Sequence, residues 1–223
     1  KLTAKDAVAF YEFIAAEEIT VLNQTPTAFR SMVMTNTDRL KEIQQAVRYL
    51  ILGGEALMPE ILKEWHAAYS KCKIVNMYGI TETTVHAAYK EITAKEIEEN
   101  KSNIGVPIPT LSCYVLDNDL KPCVIDVIGE LCVGGAGVAR GYHNRPELTA
   151  ERFVENPFEP ETKIYRSGDF AKVLSNGDME YIGRKDDQVK IRGHRIELAE
   201  VESAVKALDG FKDAVVLSYK QAS

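Results

Sequence analysis

The stretch Asn76-Met77-Tyr78-Gly79-Ile80-Thr81-Glu82-Thr83-Thr84 places an amide, a phenol ring, hydroxyls and a carboxylate directly after a short apolar run. Such groups can handle a nucleotide. An aromatic ring stacks on a base, hydroxyls bond phosphate oxygens, and a carboxylate holds Mg²⁺, a hard ion that bridges to substrate phosphates. The same residue types also make a polar loop that caps a helix. Upstream, Gly53-Gly54-Glu55-Ala56-Leu57 follows another apolar run. Paired glycines there let the backbone approach a flat ligand closely, or simply make a turn. Downstream, Tyr165-Arg166-Ser167-Gly168-Asp169 sets a carboxylate before a strand, where it can accept from both ribose hydroxyls or sit at a surface turn.

Two further segments need a different reading. Gly129 to Tyr142 is glycine-rich, with Gly135 and Gly137 spaced as in a dinucleotide fingerprint. Its third glycine is Gly141, one place too late, and no helical pattern follows, so tight turns in a small β-structure are expected. Gly183 to Glu202 (GRKDDQVKIRGHRIELAEVE) mixes Arg184, Lys185, Lys190, Arg192, His194 and Arg195 with five acids. Interleaved charge without an aromatic platform makes a poor nucleic-acid patch. It reads better as a charged junction between units that must move.

The elements that would position these groups follow from periodicity. Thr3 and Asp6 resemble a capping box before an amphipathic helix on Ala7, Phe10, Tyr11 and Ile14. Ile19–Leu22, Val47–Leu52 and Lys73–Tyr78 read as strands, and Pro26 and Pro59 as helix starts, the second helix with an apolar face of Leu62, Trp65 and Tyr69. Alternation of this kind up to about residue 92 implies βα units around a mainly parallel sheet. After Asn103 short strands with Gly and Pro dominate, and Asn176-Gly177 marks a hairpin between Phe170–Leu174 and Met179–Ile182. From Asp187 a third unit begins: a strand at Gln188–Ile191, a helix on Leu198, Val201, Val205 and Leu208, and a strand at Asp213–Ser218.

Bulk properties narrow the class. The chain has 223 residues, 45% hydrophobic and 27% charged, enough for one or two cores. A net charge of −6 opposes a role in neutralising nucleic-acid phosphates. No apolar run suits a membrane span, and no secretory signal opens the sequence, so the expected setting is soluble and cytoplasmic, without nucleic-acid or membrane partners. Cys72, Cys113, Cys123 and Cys132 form no CxxC pair and read as reduced, mostly buried thiols.

The five segments, taken in chain order, resemble the later core motifs of nonribosomal peptide synthetase adenylation domains, relatives of acyl-CoA synthetases and luciferases. The resemblance covers essentially the whole chain, and QVKIRGHRIELAEVE looks closer to the peptide-synthetase branch. It implies an α/β fold: part of a doubly wound, flavodoxin-like βα subdomain (1–108), a small distorted β-barrel (109–185), and the start of a mobile α+β C-terminal subdomain (186–223). It implies ATP or AMP along Gly54, Glu55 and Ala56, with Asn76 on the adenine amino group and Tyr78 on the ring. Thr81 is implied at the α-phosphate, Glu82 at Mg²⁺, and Asp169 and Arg184 at the ribose hydroxyls. Asp186 matches the hinge, and Lys190 and Gly193 the loop delivered for thioester formation.

By the same resemblance an amino-acid carboxylate attacks the ATP α-phosphate, releasing pyrophosphate, and the phosphopantetheine thiol of a peptidyl carrier protein then attacks the aminoacyl adenylate, releasing AMP. A small accessory protein is a further candidate partner. The positions lining the amino-acid side chain fall on Asn23, Ile51, Gly53, Met77, Val85 and His86, a set that resembles threonine-activating domains. A pocket that bonds a hydroxyl strongly rejects analogues lacking it. Singly, Ile51 and Val85 also read as core residues and His86 as a buried, satisfied histidine. Ile80, Ser167 and Ala199 stand where the family usually has Pro, Thr and Gly. The family's phosphate loop, the Asp for the substrate amine and the catalytic Lys match nothing here, so the 223 residues alone are expected to be inactive. The rival expectation is a non-catalytic module that keeps the nucleotide-facing wall and docks carrier or accessory proteins.

Overall fold

The computed structural model describes residues 6–36, 46–68, 71–184, 189–191, 194–196, 198–208 and 214–218. Helix α1 (Ala7–Ala16) starts because Asp6 accepts from the amides of Val8 and Ala9, so Asp6 is itself the cap rather than the distal member of a capping box. Thr3 lies outside the described residues. Strand β1 (Val21–Gln24) leads into α2 (Pro26–Thr35), where Pro26 fills the first turn and Thr25 caps it. Then follow β2 (Tyr49–Gly53), a 3₁₀ turn at Pro59–Leu62, α3 (Lys63–Ala68) and β3 (Lys73–Tyr78).

Strands β1, β2 and β3 are parallel, as the βα alternation predicts, with Asn23 beside Ile51 and Gly53 beside Met77. Alternate residues point to opposite faces. Leu22, Leu50, Leu52 and Ile74 therefore pack under the helices against Tyr11, Ile14, Phe29, Met32 and Trp65, most of them fully buried. Phe29 and Trp65 meet edge to face at 5.2 Å. Asn23, Ile51, Gly53 and Met77 share the other face.

From β4 (Ala88–Ile92) every pairing in the sheet is antiparallel. Helix α4 (Ala94–Glu99) has a true capping box of Thr93 and Glu96. Strand β5 (Asn103–Pro107) then joins β10 (Met179–Arg184), which is followed outward by β9 (Lys163–Val173), β7 (Gly129–Gly135) and β6 (Leu111–Leu116). Helix α5 (Pro146–Arg152) leads into β8 (Phe153–Glu155), which pairs with the first residues of β9 on the edge opposite β7. The hairpin at Asn176-Gly177 forms as predicted, with β9 longer than its predicted share.

The α/β class expected from the sequence is thus present, as one ten-stranded mixed sheet. The predicted barrel is not closed. Register shifts in the β10–β5, β10–β9 and β7–β9 ladders wrap the antiparallel half around Ile104, Leu111, Val115, Leu131, Val133 and Met179. No ladder joins β6 to β5 among the described residues, and Pro107, the last residue of β5, and Pro109, in the link to β6, bring no N–H to such a ladder. Strands β11 (Val189–Ile191) and β12 (His194–Ile196) form a separate hairpin before α6 (Leu198–Lys206). Residues 214–218 carry no regular structure, against the strand predicted there.

Candidate nucleotide and substrate site

The C-terminal ends of β2 and β3 lie side by side, and the residues just beyond them form one cleft. Gly54, Glu55 and Ala56 line it together with Asn76, Met77, Tyr78 and Gly79, and Ser102, Ile104 and Tyr181 close the opposite wall. About 30 Å³ of free space lies within the cleft, which opens to solvent. Gly54 turns here with φ of 84°, a conformation that disfavours side chains.

Asn76 is buried, and its Nδ2 donates to the Asn103 carbonyl at 2.8 Å. A carbonyl only accepts, so the amide is oriented with Oδ1 left as an acceptor, which is what an exocyclic amino group requires. Glu55 has a role the sequence did not reveal. Its Oε2 accepts from the Thr27 backbone amide at 3.1 Å and hydroxyl at 2.6 Å, tying the cleft to the first turn of α2.

Tyr78 donates its phenol proton to Asp169 Oδ2 at 2.5 Å. Burial, reinforced by the Asp169 charge, holds the Tyr78 phenol far above its usual range, so it remains a neutral donor. Arg184 Nη1 donates to the other oxygen, Asp169 Oδ1, at 2.8 Å, and the Asp169 side chain is only 2% exposed. The two predicted ribose residues therefore stand together, tied to the cleft through Tyr78. Neither of them lines it. Ser167, in its departure from the family's usual Thr, keeps the necessary hydroxyl: it donates to the Leu131 carbonyl and accepts from the Asp169 amide at 3.0 Å.

Thr81 and Glu82 lie in a 3₁₀ turn, Thr81–Thr83, with Thr81 exposed and Glu82 buried. Tyr142, read from sequence only as part of a turn-rich segment, donates to Glu82 Oε1 at 2.7 Å and sits 3.0 Å from the Tyr165 hydroxyl. Among the described residues no group of three or more His, Cys, Asp or Glu could hold a metal. A single carboxylate nonetheless suits Mg²⁺, which takes one or two protein carboxylates and fills its remaining positions with phosphate oxygens and water.

The chain after this turn is strained. Thr84 and Val85, both β-branched, have φ of 62° and 71°, and the His86 amide bonds the Thr84 carbonyl at 2.9 Å, closing a tight three-residue turn on Val85. The neighbouring Gly79 explains how the turn fits. A Cβ at Gly79 would lie 1.9 Å from the Val85 carbonyl oxygen and 2.6 Å from the His86 Cα. His86 then reaches the face of the parallel strands, where its Cε1 would be 3.7 Å from a Cβ built at Gly53. Burial lowers its pKa, favouring the neutral imidazole. Gly53, Met77 and His86 thus meet, Ile51 and Asn23 extend the same face across β2 and β1, and Val85 is 65% exposed at its margin.

Asp186 and Gly193 lie outside the described residues, and Lys190 is placed only as a member of β11. All four cysteines are free, and burial pushes the Cys113 and Cys132 thiols up to about 12.

The model of AMP-binding enzymes matches residues 1–143. The chain belongs to the AMP-binding enzyme family. It is 50% identical over 218 residues to a plipastatin synthase of Bacillus subtilis (strain 168), covering 98% of this chain and 8% of that protein. Malpinin synthetase of Mortierella alpina is 45% identical over 218 residues, covering 96% and 3%. The chain therefore spans under a tenth of these curated relatives. Among solved structures, IdnL1 superposes with a TM-score of 0.86 at 29% identity, over 96% of this chain and 44% of that one. PA1221, described as a nonribosomal peptide synthetase protein containing adenylation and PCP domains, gives 0.85 at 28%, over 97% and 43%. The resemblance to peptide-synthetase adenylation domains is borne out.

Proposed function

We propose that this chain forms part of an enzyme that activates an amino acid with ATP as the aminoacyl adenylate and passes it to the phosphopantetheine thiol of a carrier protein. The observation that carries this reading is the meeting of Gly54, Glu55, Ala56, Asn76 and Tyr78 in one cleft beside the face shared by Gly53, Met77 and His86. A nucleotide site and a side-chain pocket that share a wall suit a reaction joining ATP to a small carboxylic acid.

Each residue has a task set by its environment. Asn76 Oδ1 accepts from the adenine amino group, Tyr78 flanks the ring, and the exposed Thr81 hydroxyl meets the α-phosphate. Asp169 and Arg184 serve the ribose once opening of the cleft gives it access. Glu82 would hold Mg²⁺, whose charge offsets that developing on the phosphate oxygens. The substrate is threonine: His86, kept neutral, and Asn23 supply hydrogen bonds among the apolar Ile51, Met77 and Val85. Asp186, Lys190 and Gly193 belong to the hinge and to the loop that serves thioester formation, in a cytoplasmic enzyme whose C-terminal unit (186–223) moves against units 1–108 and 109–185.

Amino-acid-dependent exchange of pyrophosphate into ATP by the full-length enzyme tests this. Threonine should outpace large apolar amino acids, and Glu82→Ala should raise the barrier by about 3 kcal/mol. Absence of exchange with any amino acid would sink the proposal, while preference for a large apolar one would sink the threonine assignment alone.

A further inference from the structure

The cleft contains a buried polar group with nothing to bond. Ser102 is 8% exposed and lines the wall opposite Gly54, yet its Oγ has no hydrogen-bond partner. Buried hydroxyls are almost always satisfied, so an orphan at the edge of a cleft calls for a ligand group. A second orphan faces the same space: Glu55 Oε1, whose sister oxygen is held by Thr27. Ser102 is also firmly placed. Its carbonyl accepts from the Tyr181 amide at 2.8 Å, and the carbonyl of the next residue, Asn103, orients Asn76.

We propose that Ser102 reads the base of the nucleotide, its hydroxyl donating a hydrogen bond to a ring nitrogen of an adenine seated in this cleft. The inference rests on the reading of the cleft as the ATP site. Adenine presents one exocyclic amino donor and several ring-nitrogen acceptors. Asn76 Oδ1 and Glu55 Oε1 are acceptors and can serve only the amino group. The hydroxyl of Ser102 supplies the donor that a ring nitrogen needs. Guanine would turn a carbonyl oxygen toward Asn76 Oδ1, acceptor against acceptor, so the pair discriminates as well as binds. Ser102 lines the cleft that such a base would enter.

Calorimetric titration of the full-length enzyme tests the assignment, using ATP and its 1-deaza, 3-deaza and 7-deaza analogues, each with one ring nitrogen replaced by carbon. Ser102→Ala should weaken ATP binding about 3- to 10-fold, the range of a single hydrogen bond. One deaza analogue should lose a similar factor on the unmodified enzyme and nothing further on the variant. The analogues need no variant, so a loss by none of them on the unmodified enzyme overturns the proposal outright. Unchanged ATP affinity in Ser102→Ala also overturns it. Asn76→Ala separates the two levels. If it weakens ATP binding while Ser102→Ala does not, only the role of Ser102 falls; if neither variant alters it, the cleft is not the ATP site.

Discussion

The parallel half of the sheet and the antiparallel half are held by different forces. Under β1 to β3 the interior is apolar, with Tyr11, Phe29, Leu50, Leu52, Leu62 and Trp65 all fully buried. Around β7, β9 and β10 charge enters the fold. Arg166 donates through Nε and Nη2 to Glu130, Arg184 to Asp169, and Lys90 reaches across from β4 to Asp178 at 2.7 Å, where Asn103 and Asn176 also converge. Apolar burial is non-directional and tolerates a range of shapes, whereas a buried charge network fixes angles and registers. The half stitched by charges is the one that sets the residues expected at the ribose.

The sharpest test of this contrast is Trp65→Ala, which removes a fully buried indole and its contact with Phe29. It should cost about 3–5 kcal/mol in denaturant unfolding. Asp169→Asn keeps the shape but removes the charge facing Arg184 and Tyr78, and should cost about 2–3 kcal/mol by the same measurement. A larger loss for Asp169→Asn than for Trp65→Ala would overturn the division of labour.

The smallest effect falls on the network that ties β4 to the β9–β10 hairpin. Asp178→Asn should cost about 1 kcal/mol, concentrated in the pH dependence. For Asp178, burial alone would raise the pKa, but Lys90, Asn103 and Asn176 outweigh it and the carboxyl ends below its usual value. Its folded pKa lies under its unfolded one, so its contribution is complete above the usual carboxylate range and is lost as pH falls through the lowered value. Lys90 runs the other way. Its pKa is raised by Asp178 and Glu96 against the effect of burial, so its share disappears only as pH rises through that raised value. Asp178→Asn should therefore flatten the acid limb of an unfolding titration. An unchanged acid limb would remove Asp178 from the junction.

Local features were legible in the sequence. Strand β3 occupies the bounds its apolar run predicts, and the Asn176-Gly177 hairpin forms. The first strand runs two residues later than predicted, because Asn23 and Gln24, polar by type, continue the ladder to β2. Individual site residues were legible through their motifs, but their meetings were not. Tyr78 and Asp169 are 91 positions apart, and Glu82 and Tyr142 are 60 apart. Nothing in local spacing encodes such contacts, and Ser102, in no motif at all, gave no signal before the cleft was seen.

The turn at Val85 has a consequence for how the molecule can change over generations. Its trace is wedged against the bare backbone of Gly79 and closed by the amide of His86, and it holds the β-branched Val85 at φ of 71°, which Gly or Asn would adopt at less cost. Exchange of Val85 for such a residue would change what that margin presents and relax the turn, whereas any side chain added at Gly79 would collide with the backbone of Val85 and His86 and force the chain off this path.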